Sequence, residues 1–146
     1  MTARFSYDNP VFSCYAFYAS ILILKMFFVA FATILSHKIS EPSITVDDST
    51  SSTKTNVTVE RTRRVHLNDL ENIPLFLFAG LLYILTDPPF DTAQMYFRAF
   101  TAVRILHTII YLNAIPQPAR AIAHTISLLL IIAMTVTVIS QASVYL

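Results

Sequence analysis

Apolar residues run along this chain in four long stretches, with polar residues gathered between them or in two compact groups. The stretches cover about 11–35, 73–86, 93–112 and 121–146. A helix needs about 20 residues to cross about 30 Å of hydrocarbon, so the first, third and fourth are long enough. The second offers about 14 apolar residues, or about 21 Å. To span, it must begin near residue 64, which gives a helix over 64–86 and draws Arg64, Asn68 and Glu71 to the membrane boundary. Pro10 follows Asn9 and suits a first helical turn. Pro74 removes the hydrogen bond to the Leu70 carbonyl and predicts a kink. Residues 38–59 hold Glu41-Pro42, Asp47-Asp48 and a Ser/Thr run over 49–53, the pattern of a flexible loop. Asp87-Pro88-Pro89 and Pro116-Gln117-Pro118 read as tight turns. The expected fold is an all-α membrane protein, one domain over 1–146, built as a four-transmembrane-helix bundle.

Composition supports a membrane setting. Of 146 residues, 55% are hydrophobic and 13% charged, with mean hydropathy +0.59; soluble domains carry about 25% charged residues. The single glycine leaves no glycine-rich phosphate cradle. A net charge of +1 makes no electrostatic case for nucleic acid. Cys14 is the sole cysteine, so neither an intrachain disulfide nor a Cys/His metal spacing is available. The N-terminal apolar run is too long for a signal peptide and carries Lys25 in its middle.

Basic residues set the orientation. Lys38, Lys54, Arg61, Arg63, Arg64 and Arg120 fall on one side of the expected spans and Arg4 alone on the other. The loop 38–59 and the 113–120 turn therefore face the cytosol. Asn56-Val57-Thr58 is a glycosylation sequon, expected to be cytosolic and unmodified.

The first polar group runs from Glu60 to Glu71 and the second from Arg104 to Tyr111. At about 100° per residue, Arg64, Asn68 and Glu71 share a stripe about 60° wide, and Arg104, His107 and Tyr111 share another. His66 lies about 200° from Arg64, toward a neighbouring helix or subunit. Arg104 sits about 12 Å from the cytosolic end of its helix and Lys25 about 15 Å from the same side. Arg120 and His124 open the fourth helix there too. Arg98 lies near the other end and is expected to snorkel outward.

Ionisable groups in a membrane segment usually face a bundle interior or a water-filled site. A cluster of Arg, His, Asn and Tyr with one carboxylate suits a small, multiply charged anion bearing an amine, because Arg grips carboxylates bidentately. Glu71 is placed to pair with that ammonium or to orient an Arg. The alternative is that these groups neutralise one another and lock the helices together, although basic groups are in excess. A channel or proton relay rests on the buried charges alone.

These groups resemble the membrane-associated proteins of eicosanoid and glutathione metabolism. The likeness runs over Glu60-Arg61-x-x-Arg64-x-His66-x-Asn68-Asp69-x-Glu71, then Arg104-x-x-His107-x-x-x-Tyr111, then Pro116-Gln117-Pro118-x-Arg120, with Leu24-Lys25-Met26 in the first helix. It covers nearly everything except 38–58. His66 to Ile73 and the Pro-Gln-Pro-x-Arg-Ala turn look most like the microsomal glutathione transferase branch, and Leu81 to Pro88 like its insect members.

The resemblance implies a homotrimer with glutathione, as co-substrate and without metal, bound between subunits near the cytosolic side. Arg64, Asn68, Glu71, Arg104, His107 and Tyr111 would hold the tripeptide, with His66 joining from a second subunit. Arg120 would sit by the sulfur as the catalytic residue, and an apolar electrophile would arrive from the bilayer. His37 stands where the family usually has Arg, which bears on one carboxylate contact. His124 is either a helix-interface residue or a further polar contact to glutathione. The loop cysteine tied to thiol activation in vertebrate relatives is missing.

The implied activity is conjugation of the glutathione thiolate to hydrophobic electrophiles, with reduction of lipid hydroperoxides as a companion. Two alternatives are a glutathione-dependent prostaglandin E synthase, disfavoured by Ala121 and Leu67, and a non-catalytic lipid-binding scaffold. The implied location is the endoplasmic reticulum or the outer mitochondrial membrane, with the site facing the cytosol.

Overall fold

The computed structural model describes residues 4–40 and 57–146. Among them the regular secondary structure is all helical: α1 spans Pro10–Ser40, α2 Val57–Ile84, α3 Phe90–Leu112 and α4 Gln117–Ala142, and a 3₁₀ turn follows over Ser143–Tyr145. At about 1.5 Å per residue the helices are about 46, 42, 34 and 39 Å long. Segments of α1, of α2 and of α4 with its closing turn are long and apolar enough to cross a membrane. α3 has the length but carries Asp91, Arg98 and Arg104.

The helices exceed the expected spans because helical hydrogen bonding does not stop where polarity begins. α1 continues past residue 35 to Ser40, and α2 starts at Val57 instead of 64. Arg64 Nε donates to Glu60 Oε1 at 2.7 Å, an i,i+4 pair that supports this added first turn. α3 opens at Phe90 directly after Pro89. α4 opens at Gln117, with Pro118 in the first turn where its missing N–H costs nothing. The expected loop 38–59 is thus helical at both edges, and its remainder, 41–56, lies outside the described residues together with Asn56 of the sequon.

Asn9 caps α1: its side-chain oxygen accepts from the Val11 N–H at 3.0 Å. The C-terminal ends lack glycine. α3 closes with Ala114 at φ 56° and the Ile115 N–H returning to the Ile110 carbonyl at 3.1 Å. Asp87, at φ 53°, turns the chain after α2, where the Arg4 guanidinium meets the Leu85 carbonyl.

α2 and α3 are central, each packing on the other three helices, whereas among the described residues α1 and α4 make no close approach to each other. Aromatic rings fill the middle. Phe76 stacks on Phe100 at 4.0 Å with planes 3° apart, and Phe97 meets Phe76 edge-on at 6.0 Å. The Tyr15 hydroxyl donates to the Leu77 carbonyl at 2.7 Å across α1 and α2. Its ring lies so close to Gly80 that a Cβ there would fall 2.6 Å from a ring carbon. The one glycine therefore serves the α1–α2 contact. Below this aromatic layer, toward the start of α2, the interior becomes polar.

Candidate functional site

Val65, Asp69, Asn72, Ile73 and Phe76 are all buried and lie on one face of α2 at helical spacing. That face points into the bundle, so Asp69 is a carboxylate on a core stripe, fully shielded from solvent. An isolated buried carboxylate would be very unfavourable. Two cations meet it: Lys25 Nζ of α1 at 2.5 Å and Arg104 Nη2 of α3 at 2.6 Å. Arg104 Nη2 also donates to Asn68 Oδ1 at 2.7 Å. The Asn72 amide donates to the Asn68 carbonyl at 2.8 Å, which steadies the same turn.

One carboxylate faces two cations, so the triad carries surplus positive charge. Arg104 is fully buried, yet its Nε and Nη1 have no hydrogen-bond partner among the described residues. Leaving buried donors unmet costs about 1–3 kcal/mol each. His107 follows one turn along α3, is also buried, and has an unpartnered Nδ1. It lies within electrostatic reach of Arg104, Asp69, Lys25 and His124.

The next turn of α3 presents Tyr111, whose ring lies 5.9 Å from that of His107. The Arg120 guanidinium of α4 stacks over the Tyr111 ring at 4.8 Å, and its Nε is buried and unpartnered. Arg64 of α2, which holds Glu60, lies within electrostatic reach of Tyr111. His124, one turn beyond Arg120, also has a buried, unpartnered Nδ1. Nitrogen donors from α2, α3 and α4 thus converge at one end of the bundle, and Asp69 is the buried carboxylate among them. Such a site can take an anion with more than one negative group.

Of the residues singled out from sequence, Arg64, Asn68, Arg104, His107, Tyr111, Arg120 and His124 come together here. Three do not. Glu71 is exposed and makes no ion pair with Arg104, because Asp69 holds that guanidinium instead. His66 faces away and lines a cavity of about 360 Å³ with Ile23, Met26, Phe27, Leu70 and Pro74. His37 is exposed near the end of α1. Arg98 is exposed at the other end, its Nε donating to the Tyr18 hydroxyl at 3.2 Å.

Asp69 is the residue that stripe geometry passed over. Five positions from Arg64 place it about 140° away, outside the polar stripe. A signal was present: an acid four residues from Val65 and Ile73 on an apolar face must meet a buried cation, and Lys25 in the first helix is an obvious one.

The MAPEG family matches residues 14–140. Microsomal glutathione S-transferase 1 of Mus musculus is 42% identical over 125 residues, covering 80% of this chain and 81% of the relative. The Homo sapiens protein of the same name is 43% identical with the same coverage. Prostaglandin E synthase of Equus caballus is 39% identical over 85 residues, 58% of this chain and 56% of that protein. With a family match running through all four helices and two-fifths identity over four-fifths of its length, the chain belongs to the MAPEG family.

Proposed function

We propose that this protein is a membrane-bound glutathione transferase that joins the glutathione thiolate to hydrophobic electrophiles. The observation that carries this reading is the nitrogen-rich end of the bundle, where buried nitrogens of Arg104, His107, Arg120 and His124 have no hydrogen-bond partner among the described residues. Glutathione supplies two carboxylates, which match such donors. The names and coverage of the relatives support the chemistry.

In this reading Arg64, Asn68, Arg104, His107 and Tyr111 hold the tripeptide. Arg120 stands beside the sulfur. A free thiol ionises near pH 8.5 and only the thiolate attacks. A guanidinium close by favours the anion and raises the reactive fraction at neutral pH. The thiolate then forms the new C–S bond and the electrophile expels its leaving group. Glu71, His66 and His37 are exposed or turned away within one protomer. A homotrimer gives them a role, because glutathione held between subunits meets groups from more than one chain. The exposed apolar side chains Leu67, Leu70, Leu75 and Phe78 beside Glu71 on α2 suit such an interface. All four helices then cross the membrane, the polar cluster faces the cytosol, and the apolar substrate enters from the bilayer of the endoplasmic reticulum.

Conjugation of glutathione to a chlorodinitrobenzene by purified protein in detergent is the test. Turnover should fall at least about tenfold in Arg120→Ala, the loss expected when an activating cation is removed. Binding of glutathione by calorimetry should persist. Unchanged turnover would refute the role of Arg120, and absent glutathione binding by the native protein would refute the function. Endoperoxide isomerisation is the second reading, supported by the prostaglandin E synthase relatives. Product formation from the endoperoxide by the same preparation decides between them.

A further inference from the structure

At the opposite end of the bundle from the donor cluster, two cavities meet at one residue, Arg4. The first, about 360 Å³, is lined by Arg4, Asp8, Asn9, Asp87 and Phe90. The second, about 310 Å³, is lined by Arg4 together with Leu82, Leu85, Val138 and Tyr145. One is acidic and polar, the other largely apolar, and the guanidinium stands between them. We propose that this pair of cavities binds a zwitterionic phospholipid, its phosphate on Arg4, its cationic head group toward Asp8 and Asp87, and one acyl chain along the α2–α4 groove.

Charge complementarity argues for that occupant. Arg4 lines the same cavity as two carboxylates, yet the ion pairs among the described residues join it to neither. Its guanidinium instead meets the Leu85 carbonyl, which uses one of five N–H donors and leaves the rest for a phosphate. Among the described residues the Asp8 carboxylate receives only the Ser6 hydroxyl, at 3.1 Å. A cation and two acids held apart in one cavity complement a molecule that itself carries separated charges of both signs. An anionic lipid would gain Arg4 but face both carboxylates. Phe90, 39% exposed, lines the same cavity, and an aromatic ring is a favourable neighbour for a quaternary ammonium.

Depth agrees. Leu82 lies in the last turn of α2 and Leu85 just past it, Val138 lies in the last turns of α4, and Asp8 and Asp87 lie just beyond the ends of α1 and α2. The apolar cavity therefore sits at acyl-chain level and the polar one at head-group level, a few ångströms outside the hydrocarbon. The surroundings supply phospholipid to this position at high local concentration.

Native mass spectrometry of the full chain in detergent tests the proposal, with dioleoyl phosphatidylcholine, dioleoyl phosphatidylglycerol and diolein as probes at equal concentration. Phosphatidylcholine adducts should exceed phosphatidylglycerol adducts by about fivefold, the ratio one surface-level charge contact provides, and diolein should be retained least. Arg4→Gln should remove most of the phosphatidylcholine adducts. The double variant Asp8→Asn with Asp87→Asn should abolish the preference for choline over glycerol head groups. Because that variant keeps the Arg4–Leu85 contact, and Asn tolerates positive φ at 87, it decides the matter if Arg4→Gln fails to fold. Equal retention of the two phospholipids by the native protein, or an unchanged preference in the double variant, would overturn the proposal.

Discussion

Replacing Asp69 by Asn removes one negative charge while keeping the side chain's shape. Asp69 and Arg104 are wholly shielded, and the Lys25 side chain is 10% exposed. The substitution leaves two cations facing each other across a neutral amide whose NH₂ has nowhere favourable to point. Breaking a buried ion pair by deleting one partner costs about 3–5 kcal/mol, and the upper end applies because both cations lose the same counter-charge. At about 2–4 °C per kcal/mol for a chain of this size, the midpoint of unfolding should drop by roughly 10 °C or more. Lys25→Met is the control. It leaves Asp69 with Arg104, a balanced pair, and should cost distinctly less. The assay is loss of helical circular dichroism on heating in detergent, with all proteins at equal concentration. A midpoint within about 2 °C of the native protein for Asp69→Asn, under 1 kcal/mol on the same scale, would refute the triad as a stabilising unit. So would a larger loss in Lys25→Met.

Other outcomes follow from the same geometry. Gly80→Ala places a Cβ where the Tyr15 ring stands; it should cost about 1–3 kcal/mol by thermal unfolding, and Tyr15→Leu in that background should recover part of the loss. Ala114→Gly relieves a non-glycine residue at φ 56° and should raise stability by about 0.5–1 kcal/mol, seen as a higher midpoint with unchanged activity. Arg104→Met removes the two unpartnered buried donors and should weaken glutathione binding at least about tenfold, the loss of one charged contact, measured by calorimetry; unaltered affinity would place the tripeptide elsewhere.

Much of the architecture was legible because apolar runs of this length have few other uses. Helix ends were not, because they depend on local chemistry that hydropathy ignores. The Glu60–Arg64 pair carries α2 outward and Pro118 is accommodated in a first turn. The donor set of the cluster was legible as two stripes, since helical angles alone bring Arg104, His107 and Tyr111 together. Its acid was not. Glu71 shares the stripe with Arg64 and drew the assignment, but a stripe says which residues are neighbours on one helix and not which face the bundle buries. That is set by packing on α1 and α3, which turns Asp69 inward and Glu71 out. Lys25 marked the correct face, because a lone ammonium in an apolar helix requires a buried acid on whatever packs against it.

The shared carboxylate also has a consequence for the order in which the chain is made. Lys25 leaves the ribosome before Asp69, and Asp69 before Arg104. The first helix therefore enters the bilayer with an ammonium that has no counter-charge, at a cost of about 2.5–3.5 kcal/mol at the centre of a span. Each Leu, Ile, Phe or Val around it returns about 0.3–0.6 kcal/mol, and α1 is rich in these, so the helix can wait alone. The second helix is less able to wait. Its apolar part is short, and its acid becomes comfortable only on meeting Lys25. The first helix is thus a landing site for the second, and the nascent chain gains its third helix, with the buried Arg104, only after an acid is already in place to receive it.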